Sequence, residues 1–241
     1  MMNDEDAVSP LPPTHSNESP KSLGLGWKIG LGVGALLVAA VLLLPVVWPA
    51  SNNTEPAAGA APANIAPVSP VSLPDTAAAR FELGNSLYES GQFDQAVAAY
   101  LGAIELDPNY QAAYANLGVV YYQQQKFDLA ASQYQKALEL DPNDGDVAYN
   151  LGVLYLQQAL SKNDQPDPQL LDKAVTQLQQ AQQISPNLAE PHFSLGVAYL
   201  ALNQPEKATA AFQTFLSFDT QVDPRAKQEA ERYLELLQKP Q

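Results

Sequence analysis

The chain has 241 residues, which suits one or two domains, and a net charge of −14 that would be repelled by phosphate backbones and argues against nucleic-acid binding. It has no cysteine, which excludes disulfides, thiolate metal sites and cysteine nucleophiles, and only two histidines, His15 and His192, far apart in sequence, which argues against a histidine metal centre. Hydrophobic residues make up 46%, enough for a sizeable core, although one block of them lies near the N-terminus and is better suited to a membrane.

Residues 1–22 are polar, carry proline and serine, and lack periodicity; the expectation is a disordered cytoplasmic tail. Residues 23–48 form the candidate transmembrane anchor. From Ile29 to Val47 the chain runs for 19 residues without a charged or strongly polar side chain. At about 1.5 Å per residue a helix of that length reaches about 28 Å, close to the hydrocarbon thickness of a bilayer. Trp27 and Trp48 bracket the run, as interfacial indoles do. The competing reading is a cleaved signal peptide. The run is longer than a signal core, an acidic segment precedes it, and Trp48-Pro49-Ala50 is a poor cleavage site. Ala58-Gly59-Ala60 fits the small-residue rule but lies well beyond the run. Lys21 and Lys28 flank the N-terminal side, and no further Lys or Arg appears before Arg80. Positive charge stays inside, so the expected protein is single-pass in the inner (cytoplasmic) membrane, with the C-terminal bulk on the exoplasmic side, periplasmic or extracellular. Gly26, Gly30 and Gly34 recur every four residues on one helix face. They either pack against another membrane helix or reflect the frequency of glycine in such helices.

Residues 49–76 hold Pro49, Pro56, Pro62, Pro67, Pro70 and Pro74 among many alanines. Proline at that density blocks helix and sheet, so this is a semi-stiff spacer.

From Ala77 onward the chain repeats with an offset of 34 residues. Leu83-Gly84 maps to Leu117-Gly118, Phe93 to Phe127, Ala96 to Ala130, Tyr100 to Tyr134, and Asp107-Pro108-Asn109 to Asp141-Pro142-Asn143. A third copy opens on YNLGVLY at Tyr149 and a fourth on FSLGVAYL at Phe193. This register resembles the tetratricopeptide repeat (TPR) family over residues 77 to about 220. The resemblance implies an all-α solenoid of helical hairpins in a right-handed superhelix, with repeats at about 77–110, 111–144, 145–188 and 189–222. Gly84, Gly118, Gly152 and Gly196, with Ala96, Ala130, Ala174 and Ala208, then sit where paired helices touch. Tyr100, Tyr134, Leu178 and Phe212 fill space toward the next repeat, and Pro108, Pro142 and Pro186 close the second helices. Repeat three is 44 residues long, and its extra residues, near Ala159–Leu170, are expected to lengthen the turn between its helices. Repeat four lacks the closing proline. The chain continues into an amphipathic helix, about 224–238, with Asp223 as N-cap and Ala226, Ala230, Tyr233, Leu234 and Leu237 as its buried stripe, capping the array.

The resemblance also implies a concave face lined by the first helix of each repeat. Its groove positions carry Phe81, Asn85 and Tyr88; Val119, Tyr122 and Gln123; Tyr149, Val153, Leu156 and Gln157; and Phe193, Val197 and Leu200. Such residues either bind an extended or helical peptide or pack between helices, Val119, Val153 and Val197 above all. The groove lacks the Lys and Arg with which arrays of this kind clamp a peptide carboxylate. Asn116 and Asn150 are expected to be structural, as is His192. No Walker, zincin or nucleophile-elbow motif is present, so neither an enzyme nor a cofactor is expected. The function expected is a membrane-anchored protein- or peptide-binding adaptor, chaperone or assembly factor. The alternative is a structural bracket, a homodimer or membrane-complex subunit held together by the glycine face of the anchor.

Overall fold

The computed structural model describes residues 76–161, 165–218 and 222–238. The tail 1–22, the anchor 23–48 with Gly26, Gly30 and Gly34, and nearly all of the spacer 49–76 lie outside the described residues. No helix among the described residues is long and apolar enough to cross a membrane.

The described residues form α1 (Ala77–Glu89), α2 (Phe93–Leu106), α3 (Gln111–Gln123), α4 (Phe127–Leu140), α5 (Gly145–Ser161), α6 (Pro168–Ile184), α7 (Glu190–Ala201), α8 (Pro205–Ser217) and α9 (Pro224–Gln238), with no strand among them. Each odd helix pairs with the even helix after it, and α9 packs on α8. This is an all-α solenoid of helical hairpins.

Local chemistry sets the helix ends. Thr76 Oγ1 accepts from Ala79 N–H at 3.2 Å, Asp144 Oδ1 from Val147 N–H at 2.9 Å and Asp223 Oδ1 from Arg225 N–H at 2.8 Å, each filling part of the unpaired first turn of a helix. Pro168 follows its capping Asp167 as the first residue of α6, where its missing N–H costs nothing. Between repeats, Asp107 and Asp141 each accept from the backbone N–H two residues on, Asn109 and Asn143, at 3.0 Å, so the Asp-Pro-Asn motif is an Asx turn. Within hairpins the chain reverses through a left-handed residue: Gly91 at φ 75°, Gln125 at 58° and Asn203 at 56°. The next backbone N–H then reaches back five residues, as from Lys126 to the Tyr121 carbonyl at 2.8 Å.

The repeat register has a steric basis. A Cβ on Gly84 would lie 2.5 Å from the Tyr100 ring, on Gly118 2.6 Å from Tyr134, on Gly152 2.7 Å from Leu178, and on Gly196 2.5 Å from Phe212. These four large side chains are fully buried, so each needs a glycine opposite it. The pairing is thus one large residue per second helix driven into one gap per first helix.

Repeat three differs from expectation. Its extra residues do not lie in the turn alone: α5 and α6 have 17 residues each, against 13 and 14 in α3 and α4. Ala159 and Leu160 keep the added turn of α5 buried, and this lengthened hairpin forms the middle of the core. The far end is closed by α9, where the Tyr233 ring stacks on Phe212 at 5.1 Å and 14°.

A candidate peptide-binding face

The first helices α1, α3, α5 and α7 lie side by side, α1 against α3 and α5 against α7. On each, positions four and seven residues apart share a stripe, which gives Phe81/Asn85/Tyr88, Ala115/Val119/Tyr122, Tyr149/Val153/Leu156 and Phe193/Val197/Leu200.

Most of these residues do not face solvent. Phe81, Val119, Tyr149, Val153, Leu156, Phe193 and Val197 are all no more than 2% exposed. Phe81 packs on Tyr100 and Tyr110 at 5.7 and 5.1 Å between ring centroids, and Phe193 on Phe212 and Phe215 at 5.7 and 5.2 Å. Of the two expected roles, the burial of these seven residues favours packing between helices over a place on the groove surface. The stripe of α5 is wholly core, those of α3 and α7 are core at Ala115 and Val119 and at Phe193 and Val197, and that of α1 only at Phe81.

What remains open is Asn85, Tyr88, Tyr122, Gln157 and Leu200, all half-buried, and Gln123, exposed. The two tyrosines are rungs. The Tyr122 hydroxyl donates to Gln157 Oε1 at 2.5 Å, and the Tyr88 phenol lies in hydrogen-bonding reach of the Gln123 amide. Each rung spans 35 residues, one helix position beyond the repeat, so it joins neighbouring first helices. Phe93 and Phe127 support the two rings from behind, at 5.6 and 5.8 Å. The ladder ends at repeat three, where Leu156 and Ala201 stand in the equivalent places.

Beneath the rungs lie polar groups of the core. The Tyr100 hydroxyl donates to Asn85 Oδ1 at 2.8 Å, and Asn116 Nδ2 donates to the same oxygen at 2.9 Å. In the next repeat Val119 stands where Asn85 stands in the first, and the fully buried Tyr134 hydroxyl has no hydrogen-bond partner. The buried Tyr149 hydroxyl has Ser194 beside it, whose own hydroxyl donates to the Glu190 carbonyl at 3.0 Å. The orphan hydroxyl of Tyr134 was not legible in the residue types alone; the signal is the mismatch between Tyr134 and Val119 in the repeat register.

Burial raises the phenols of Tyr88, Tyr100, Tyr122, Tyr134 and Tyr149 above the ordinary tyrosine value. At neutral pH they are protonated donors, not bases. His192 sits away from this face. Its ring lies 5.4 Å from that of Phe218, Gln182 Nε2 is 3.4 Å from its Nδ1, and burial lowers its pKa. Among the described residues no group of three or more His, Asp or Glu could hold a metal ion. The face is built for hydrogen bonding and ring contact.

Family models described as tetratricopeptide or TPR repeats match residues 71–111 and 81–145, 133–183, 170–203 and 189–221. The chain belongs to the tetratricopeptide repeat family. A search of curated proteins finds no match. Solved TPR-like structures resemble it in fold. A MamA protein is 22% identical with a TM-score of 0.57, over 68% of this chain and 86% of the other. PilF of Pseudomonas aeruginosa is 25% identical at 0.56, over 66% and 68%. A thermophilic TPR protein of Thermus thermophilus is 18% identical at 0.54, over 68% and 84%. A TPR array of this kind is a protein-interaction module, and here its first-helix face is paved with phenols and amides.

Proposed function

We propose that the chain is a membrane-anchored TPR module whose first-helix face holds an extended segment of another polypeptide, as an adaptor, chaperone or assembly factor. The observation that carries this reading is the row of half-buried side chains left on that face. Tyr88 and Tyr122 are amphipathic, held upright by Phe93 and Phe127, and flanked by Asn85, Gln123 and Gln157. Rigid aromatics supply contact area at low entropic cost, and carboxamides can meet both the N–H and the C=O groups of an extended chain. The anchor belongs to the proposal through the sequence. The apolar run Ile29–Val47 and the Lys21/Lys28 pair support an N-terminus in the cytoplasm, a Pro/Ala-rich spacer, and an array held off the outer surface of the inner membrane.

Two experiments test the two halves. Peptides enriched from a random display library on the full chain should lose binding to Tyr88→Ala/Tyr122→Ala, while far-UV helicity stays intact. Unchanged binding would remove the face from the account. For the anchor, a reporter active only outside the cytoplasm, fused after Gln241, should be active and membrane-bound. An inactive reporter would reverse the orientation, and an active but freely soluble one would restore the cleaved-signal reading.

A further inference from the structure

The two ends of the array are finished differently. In repeats two to four the first helix lies against the second helix of the repeat before it, α3 on α2, α5 on α4 and α7 on α6, and α9 closes the far end on α8. Among the described residues no helix precedes α1, and the face that its counterparts bury stays open. The repeat register shows this position by position. Leu117, Leu151 and Leu195 are no more than 3% exposed, whereas their counterpart Leu83 is only partly buried. Ala113 and Val147 are fully buried, whereas Ala79 is not. Val120, Leu154 and Ala198 are fully buried and their counterpart Ser86 is exposed; Asn116, Asn150 and Ser194 are fully buried and their counterpart Glu82 is exposed. The open face of α1 thus has an apolar row, Ala79, Leu83 and Leu87, with a polar edge, Glu82 and Ser86, beside it.

The sequence directly before α1 has a matching pattern. From 64 to 75 it repeats every three residues. Ile65, Val68, Val71 and Pro74 form one set, Pro67, Pro70 and Leu73 a second, and Ala66, Ser69, Ser72 and Asp75 a third. Three residues per turn is the period of the polyproline II helix, which proline favours, so such a segment has one aliphatic edge and one polar edge. The six steps from Val68 to Pro74 reach about 19 Å in that conformation, and the 13 residues of α1 reach about 20 Å. Val71 is the midpoint of the first, and Leu83 the midpoint of the second. We infer that residues 68–74 fold back along α1 as an extended strap, with Pro74 beside Ala79, Val71 on Leu83 and Val68 toward Leu87. The strap caps the open end of the array as α9 caps the other. Its serine edge lies beside Glu82 and Ser86. That polar edge decides against broader occupants. A second helix would bury the Glu82 carboxylate, and a second copy packed about a twofold axis would set Glu82 against its own counterpart. With the strap in place, residues 49–67 are the part of the spacer left as a tether.

The chain has no cysteine, so a pair of introduced thiols reports the contact without background. Two thiols bond only where their Cα atoms come within about 7 Å. In the full chain in detergent, Val71→Cys/Leu83→Cys should oxidise within one molecule at least tenfold faster than Ser72→Cys/Leu83→Cys, at a rate independent of protein concentration. The control pair has nearly the same separation in sequence but starts from the polar edge. Equal rates for the two pairs would show that the segment does not settle on α1, and bonds between two copies would assign the face to a second molecule; either result overturns the inference. A second measurement leaves Leu83 in place. Val68→Ser/Val71→Ser should speed hydrogen exchange of the α1 amides at least tenfold and leave those of α7 unchanged. Unchanged exchange in α1 overturns the inference.

Discussion

Two buried tyrosines at equivalent positions should respond in opposite directions to the loss of one oxygen. Tyr100 and Tyr134 are both fully buried and both fit over a glycine of the partner helix. The Tyr100 hydroxyl has an acceptor, Asn85 Oδ1 at 2.8 Å, and that oxygen keeps a second donor, Asn116 Nδ2 at 2.9 Å, when the hydroxyl is removed. Tyr100→Phe therefore loses one neutral hydrogen bond without stranding its partner, a loss of about 1 kcal/mol. The Tyr134 hydroxyl has no acceptor, because Val119 replaces Asn85 in its repeat. Burying a hydroxyl unpaired costs about 1–3 kcal/mol on mutational scales, so Tyr134→Phe should gain about 1 kcal/mol. The variants should thus differ by about 2 kcal/mol, or about 5 °C in Tm for an array of this length. Urea unfolding followed by far-UV circular dichroism, with midpoints compared at constant slope, reads this directly. Equal destabilisation by both substitutions would show that Tyr134 is satisfied in the folded state and would remove the orphan-donor argument.

Other substitutions test other parts of the account. Gly118→Ala brings a methyl to 2.6 Å from the Tyr134 ring; overpacking of about 1–3 kcal/mol should outweigh the helix-propensity gain of about 1 kcal/mol, and a higher melting temperature would refute the steric reading of the register. Gln125 sits at φ 58°, so Gln125→Gly should stabilise the α3–α4 turn by about 1 kcal/mol, checked by the urea midpoint. His192 has a folded-state pKa below its ordinary value because it is buried. Above that ordinary value both states are neutral; as pH falls below about 6.5 the unfolded chain takes up a proton more readily, and stability drops. His192→Phe should therefore lose less stability than the wild type between pH 7 and pH 5, and parallel pH profiles would contradict the assignment.

The hairpin architecture was legible because close packing imposes it residue by residue. Leu-Gly in one helix and a large residue in the next admit a single register, and a Cβ at Gly84 or Gly196 shows why. The candidate face was legible only in part. Helical periodicity places Phe81, Asn85 and Tyr88 on one stripe, but it does not say how deeply neighbouring first helices nest. Nesting decides that Phe81, Tyr149 and Phe193 are core while Tyr88 and Tyr122 stay partly open. Sequence length alone places the extra residues of repeat three near Ala159–Leu170, as a longer turn. Pro168 instead opens α6, and the apolar residues Ala159 and Leu160 prolong α5. The Tyr100–Asn85 bond and the Tyr122–Gln157 rung join residues 15 and 35 apart, which no local pattern reports.

The central claim is that partner polypeptide lies across the first helices. In-cell photo-crosslinking with benzoylphenylalanine in the full-length chain tests it most directly, with the probe either at Gln123, exposed beside the Tyr88 rung, or at Gln183, exposed on α6. The account predicts protein adducts at 123 that disappear when Tyr122→Ala is added, and few at 183. Adducts at 183 alone, or adducts at 123 indifferent to Tyr122, would contradict it.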